Sequence, residues 1–223
     1  MIISRKEANI LSDIIKQRYT LLYLLLCADL VFIVLYGFYG FRYLSDPKFG
    51  LIEDWSYGEI FQYIKEFWIV ILLLALTIRK RSLLYFSWSM LFLYLLLDDS
   101  LQIHETIGAL TATTFDFRPM FGLRDVDFGE LTVAAIAGSI LGSFIAVNHR
   151  HGDDGSRFIS KCLFVLLIAL LLFGIVLDMA GILVTSKFLT QVLGAIEDGG
   201  EQAVMSVIFW FVFMLMENHT VVK

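Results

Sequence analysis

The residues able to do chemistry are acids standing at the ends of apolar segments, and most of them fall at one level. The run FLYLLLDDSLQIHETIG carries Asp98, Asp99, Ser100, Gln102, His104 and Glu105. Glu130 opens the next apolar segment, Asp178 lies near the end of the one after, and Glu197, Asp198 and Glu201 open the last. Carboxylates gathered with an imidazole either ligate a divalent cation or pass protons. Like charges this dense cannot all stay ionised unless a cation balances them or they share protons. Asp98, His104, Asp178, Glu197 and Glu201 are the candidate metal ligands. Asp99 and Glu105 are the candidate catalytic groups, either one as general base. Asp29, Gln102, Glu130 and Asp198 complete the polar set. Such donors suit Mg²⁺, Ca²⁺ or Mn²⁺ first, and Zn²⁺ or Fe²⁺ after them.

The elements that must position these groups are membrane helices. Of 223 residues 58% are hydrophobic and 15% aromatic, and only two are proline, which fits a polytopic membrane protein and not a soluble domain. Net charge is −5 and no basic stripe interleaves with aromatics, so nucleic acid is not an expected partner. Cys27 and Cys162 form no C-x-x-C and read as small core residues. At about 20 residues per crossing, hydropathy predicts six spans, over residues 19–43, 67–78, 83–107, 130–147, 162–183 and 201–216. The second has a short apolar core that residues 59–66 extend as helix toward the headgroups. The predicted fold is an all-α bundle of about six transmembrane helices. Residues 1–18 form an amphipathic interfacial helix, 19–217 a single bundle and 218–223 a cytoplasmic tail. No small-residue cleavage pattern follows the first helix.

Positive charges orient the bundle. With both termini inside, eleven of the seventeen Lys and Arg fall in inner segments and six in outer ones, which favours that arrangement, in a bacterial inner membrane. The third to sixth spans then deliver their acids to one outer layer although they run in alternating directions. If the third span is one continuous helix, Asp98, Gln102 and Glu105 form one stripe while Ser100 and His104 share another face. Asp29, deeper in the first span, reads as a proton relay or a partner for the cluster. Ala134, Gly138 and Gly142 make a small-residue stripe on the fourth span, so that helix is expected to be central or to pack against a second copy. Residues 111–127, with Phe115, Phe117, Met120 and Phe121, could fold over the acids. The loop of residues 46–57, with Glu53, Asp54 and Trp55, could rim them. His149 and His151 read as solvated loop residues.

Two resemblances follow from these motifs, and only the second carries an activity. The D-D-x4-H-E run of Asp98 to Glu105, followed by Glu197-Asp198-Gly-x-Glu201, resembles a pattern in small bacterial membrane proteins. Ser100-x3-His104 preceded by an acid is similar to the first motif of the CREST superfamily, which includes alkaline ceramidases. That likeness implies a zinc-dependent intramembrane hydrolase with His104 as a ligand, and Ser100 and an aspartate in support. The sequence departs from that family in its six spans and in lacking an H-x3-H pair; Glu197-x3-Glu201 stands at the comparable position.

Two functions are therefore expected from the acids. In one, a divalent cation bound by them polarises water or a substrate oxygen for hydrolysis or transfer on a lipid-like molecule drawn from the membrane. In the other, the same acids form the vestibule of a proton or cation path, from one chain or a homo-oligomer. A non-catalytic membrane subunit with a polar core is the third possibility.

Overall fold

The computed structural model describes residues 5–50, 55–182, 184 and 186–218, and leaves out the side chains of residues 5–18, 178, 187 and 218. Glu53, Asp54, the Asp178 side chain and residues 219–223 of the expected tail lie outside the described residues. The chain folds as a helical bundle: α1 (Arg5–Gly40), a 3-10 turn (Pro47–Phe49), α2 (Tyr57–Lys80), α3 (Leu83–Leu101), α4 (Ile103–Thr114), α5 (Asp125–His151), α6 (Asp154–Leu171), a π-helical turn (Leu172–Leu177), α7 (Asp178–Ile182) and α8 (Lys187–Asn218). Five helices are long and apolar enough to cross a membrane, over Tyr19–Gly40, Tyr57–Lys80, Asp125–His151, Asp154–Ile182 and Phe188–Glu217. α3, the third of the six expected spans, is not among these five. Its 19 residues rise about 28 Å, but its last turn holds Asp98 and Asp99, and its walls are other helices.

Local chemistry sets the helix ends. The Ser56 hydroxyl caps α2 by accepting from the Glu59 amide at 3.2 Å, and Arg81, in the left-handed region at φ 50°, ends it. Asp153 caps α6 through the Ser156 amide at 3.1 Å, and in the first turn of α5 Asp127 accepts from the Arg124 amide at 2.6 Å and from its guanidinium. α1 is continuous from Arg5 to Gly40, so its first residues prolong the spanning helix with no break at residue 19.

Ile69, Leu73 and Leu76 recur on one face of α2 and are buried against Leu84, Trp88 and Phe92 of α3 and Met205, Ile208 and Val212 of α8. Where lipid tails are as apolar as leucine, such packing and inter-helix hydrogen bonds hold a bundle together. Trp88 Nε1 donates to Ser160 Oγ at 2.9 Å and Asn148 Nδ2 to Ser87 Oγ at 2.8 Å, which fixes α3 against α6 and α5. α5 and α6 themselves barely touch.

Three expectations change. The third span does not run on through residue 107: Gln102 adopts φ 51° and ψ 45°, ending α3 and starting α4. The break resets the helical phase and dissolves the stripe expected of Asp98, Gln102 and Glu105. Second, residues 59–66 are helical as expected, but Gln62, Lys65 and Glu66 are buried against the rest of the bundle. Third, α5 lies at the edge of the chain's own bundle. Gly138 and Gly142 have open space where a Cβ would stand.

Candidate functional site

The α3–α4 break builds the site. Asp98, in the last turn of α3, reaches across it: Oδ1 accepts from the His104 amide at 2.9 Å, and Oδ2 lies 3.1 Å from His104 Nδ1. Asp98 thereby satisfies an orphan amide of the first turn of α4 and holds the imidazole. Ligand atoms of Asp98, Asp99 and His104 all lie within 4.8 Å of one another, the one such group among the described residues. His104, on α4 outside the spanning helices, has its pKa pushed up to about 9, above all by the hydrogen bond to Asp98. Below that value the pair is a protonated imidazole against a carboxylate.

Glu66 and Glu201 stand next to that group. The Glu66 carboxyl faces those of Asp99 and Glu201, and Gln62 donates a hydrogen bond to Glu201. The Tyr63 hydroxyl has two acceptors in reach of its single proton, Glu59 Oε2 at 3.1 Å and the Asp99 carbonyl at 3.4 Å. Trp55 packs edge-on against Tyr63 with ring centroids 5.8 Å apart, and neither ring lines the cavity that the acids head. Glu201 enters over the π-helical turn at Leu172–Leu177, where a Cβ on Gly174 would overlap its Oε1. π-turns of this kind widen a helix locally and often occur at functional sites.

These acids head a cavity of about 1260 Å³. Gln62, Glu66, Tyr94, Asp98, Asp99, His104, Glu130 and Glu201 line its acidic end. Leu91, Leu95, Leu141, Leu167 and Leu170 form apolar walls, and His149, Arg150 and Lys161 line the far end. Ala134, Ala135, Gly138, Ser139 and Gly142 face this space, so the small-residue stripe widens a groove where close helix packing was expected. Glu130 and Arg150 are 20 residues apart on α5, about 30 Å of helix rise, comparable to a bilayer core.

Of the residues singled out in the sequence, Asp98, Asp99, His104, Glu130 and Glu201 come together. Others do not. The Ser100 hydroxyl donates to its own helix at the Leu96 carbonyl. Gln102 makes the break, Glu105 is exposed, and none of these three lines the cavity. Glu197 and Asp198 act on Glu201 by charge from the preceding turn of α8, outside the lining. No residue of 111–127 lines the cavity either; Phe115 and Phe121 are exposed, so the loop does not lie over the acids.

Asp29 belongs to a separate centre. Lys65 Nζ donates to Asp29 Oδ1 at 2.9 Å, to the Gln202 carbonyl at 2.8 Å and to Ser206 Oγ at 3.1 Å. The Ser206 hydroxyl donates to Asp29 Oδ2. Lys65 is 0% exposed and also lies over the Phe61 ring.

Residues 49–216 match a family described as a domain of unknown function, DUF8692, which takes in three quarters of the chain and every lining residue. The chain belongs to the DUF8692 family. No curated protein and no solved structure matches it. Within the DUF8692 match, Gln62, Lys65, Glu66 and Tyr94 are functional candidates that the sequence reading passed over. The available signal was helical spacing, because Gln62, Glu66, Ile69, Leu73 and Leu76 share one buried face of α2.

Proposed function

We propose that this DUF8692 protein binds a divalent cation through Asp98, Asp99 and His104 and uses it to hydrolyse or transfer an ester group of a lipid-like molecule. One observation carries the reading: the three-ligand group opens into a long, apolar-walled cavity. Its volume exceeds the roughly 300–1,000 Å³ of pockets for drug-sized ligands, and the loose α5–α6 pair gives a lateral way in from lipid. A cation there would acidify a bound water and polarise an ester oxygen. Glu130 lines the same end and is better placed than exposed Glu105 to take the water's proton. As the water oxygen bonds to the ester carbon or phosphorus, the bond to the alcohol oxygen breaks and that proton passes to the leaving alcohol. The bias of positive charge supports placing the acidic end on the outer side of a bacterial inner membrane.

Purified protein should carry metal by elemental analysis and should release product from membrane-lipid esters in a chelator-sensitive way. Asp98→Asn and His104→Gln should lose both properties while keeping their helical circular dichroism. Equal metal content in the wild type and both variants would remove the reading.

A second reading, a proton or cation path, is favoured by the Asp29–Lys65–Ser206 centre, whose Lys65 adjoins Glu66 on α2 and whose Ser206 lies one turn along α8 from Gln202. Against it, Ile69, Leu73, Phe92, Met205 and Ile208 form a fully buried apolar layer beyond that centre. Flux in proteoliposomes that falls on Glu66→Gln would favour the path, whether formed by one chain or by a homo-oligomer.

A further inference from the structure

We propose that the site takes two divalent cations, the second held by Glu66 and Glu201, with Asp99 shared between the two positions. This rests on the cation reading of Asp98, Asp99 and His104 given above. Glu66 is 0% exposed, it lines the cavity, and no hydrogen-bond donor reaches Oε1 or Oε2. A buried carboxyl with neither oxygen satisfied is among the costliest groups to keep at membrane depth. The Asp99 carboxyl is within hydrogen-bonding reach but can donate to Glu66 only if it is protonated, and the Glu201 carboxyl acts on both by charge. Lys65 is the adjacent residue, but its ammonium is committed to Asp29, Ser206 and the Gln202 carbonyl.

Charge balance points the same way. Five carboxyls line the acidic end, Glu66, Asp98, Asp99, Glu130 and Glu201, and His104 is the one basic side chain among them. If all are ionised and the imidazole is neutral, one divalent cation leaves three negative charges and two leave one. Geometry supplies the room: the π-turn sets Gly174 where any larger residue would occupy the space of the Glu201 carboxyl. Glu66 and Glu201 lie outside the tight three-residue group, so they form an adjoining position, and Asp99, with two oxygens, is the residue in contact with both. The alternative occupant is a proton shared between Glu66 and Asp99, with no second cation.

Mn²⁺ tests this in full-length, metal-stripped protein in detergent. Equilibrium dialysis at saturating Mn²⁺ should give two ions per chain, and the low-temperature paramagnetic resonance spectrum should show exchange coupling. Glu66→Gln should bind one ion per chain with an uncoupled spectrum. Glu201→Gln serves as an independent variant with the same expectation, and thermal unfolding verifies that each is folded. One Mn²⁺ per chain in the wild type, or two in both folded variants, overturns the second position and leaves the first standing. No specifically bound Mn²⁺ in the wild type overturns both.

Discussion

Lys65 and Glu66 are neighbours on α2, equally buried, and they serve two centres of opposite character. Around Lys65, donors and acceptors match: the ammonium has three partners, and both Asp29 oxygens are used. That centre lies outside the lining of the acid-headed cavity and ties α1, α2 and α8 together. Around Glu66, acceptors outnumber donors and the surplus faces open space. Burial alone therefore does not distinguish a structural polar group from a binding one; the balance of donors does. A closed ion pair answers its own charges, whereas an unbalanced set facing a cavity calls for an ion from outside.

The largest effect should come from breaking the balanced centre. Lys65→Met strands the Asp29 carboxylate in the bundle, and removing one partner of a buried pair typically costs about 3–5 kcal/mol. Denaturation in detergent should show that loss, or the variant should fail to accumulate. Replacing both charges, Asp29→Leu with Lys65→Met, should restore much of the stability. If Lys65→Met unfolds like the wild type, the pair is not structural and the comparison collapses.

The unbalanced centre should answer in the opposite way. Asp98→Asn should leave unfolding almost unchanged but weaken Mn²⁺ binding more than about 100-fold, beyond the 10–100-fold typical of outer-shell partners. A drop in stability with binding intact would assign Asp98 to capping α4 alone.

The contrast also explains what the sequence could and could not reveal. Membrane helices were legible because about 20 apolar residues in a row have few other uses, and five of the six expected spans correspond to helices long and apolar enough to cross. Asp98, Asp99, His104, Glu130 and Glu201 were legible because each acid or imidazole interrupts or ends an apolar run. Lys65 and Glu66 were not, since a charged stretch before a short apolar core looks the same whether it enters headgroups or the bundle. Only the packing of α2 against α3 and α8 distinguishes the two. Ser100, Gln102 and Glu105 were grouped with the site by the geometry of an unbroken helix, and the left-handed conformation of Gln102 has no sequence signature of its own.

A smaller effect follows from pH. His104 is held protonated up to about 9 by Asp98, and a cation that uses Nδ1 must displace that proton. Apparent Mn²⁺ affinity should rise with pH by up to about tenfold per unit and level off above about 9. The cation-free ion pair follows the reverse course: its contribution is complete below the ordinary histidine value of about 6.5 and fades as pH rises through about 9. Titrations across that range should show the slope in the wild type and lose it in His104→Gln. A slope that survives in His104→Gln would assign the displaced proton to the carboxyls.

The finest probe is Gly174→Ala. The substitution adds one methyl group on a membrane helix and changes no charge, so its general effect on stability should be slight. Locally, however, the new Cβ would occupy the place of Glu201 Oε1, and the carboxyl must swing away from Glu66 and Asp99. Loss of one ligand oxygen from the adjoining position should weaken Mn²⁺ binding there by about tenfold, near the lower bound for disturbing a supporting residue, with the Asp98–His104 position unaffected. Binding isotherms would separate the two, because only the weaker step should move. If both steps move together, Glu201 supports the whole cluster and the two positions are not independent. If neither moves, the carboxyl reaches the site by another route, and the π-turn at Gly174 is a packing feature of α6 alone.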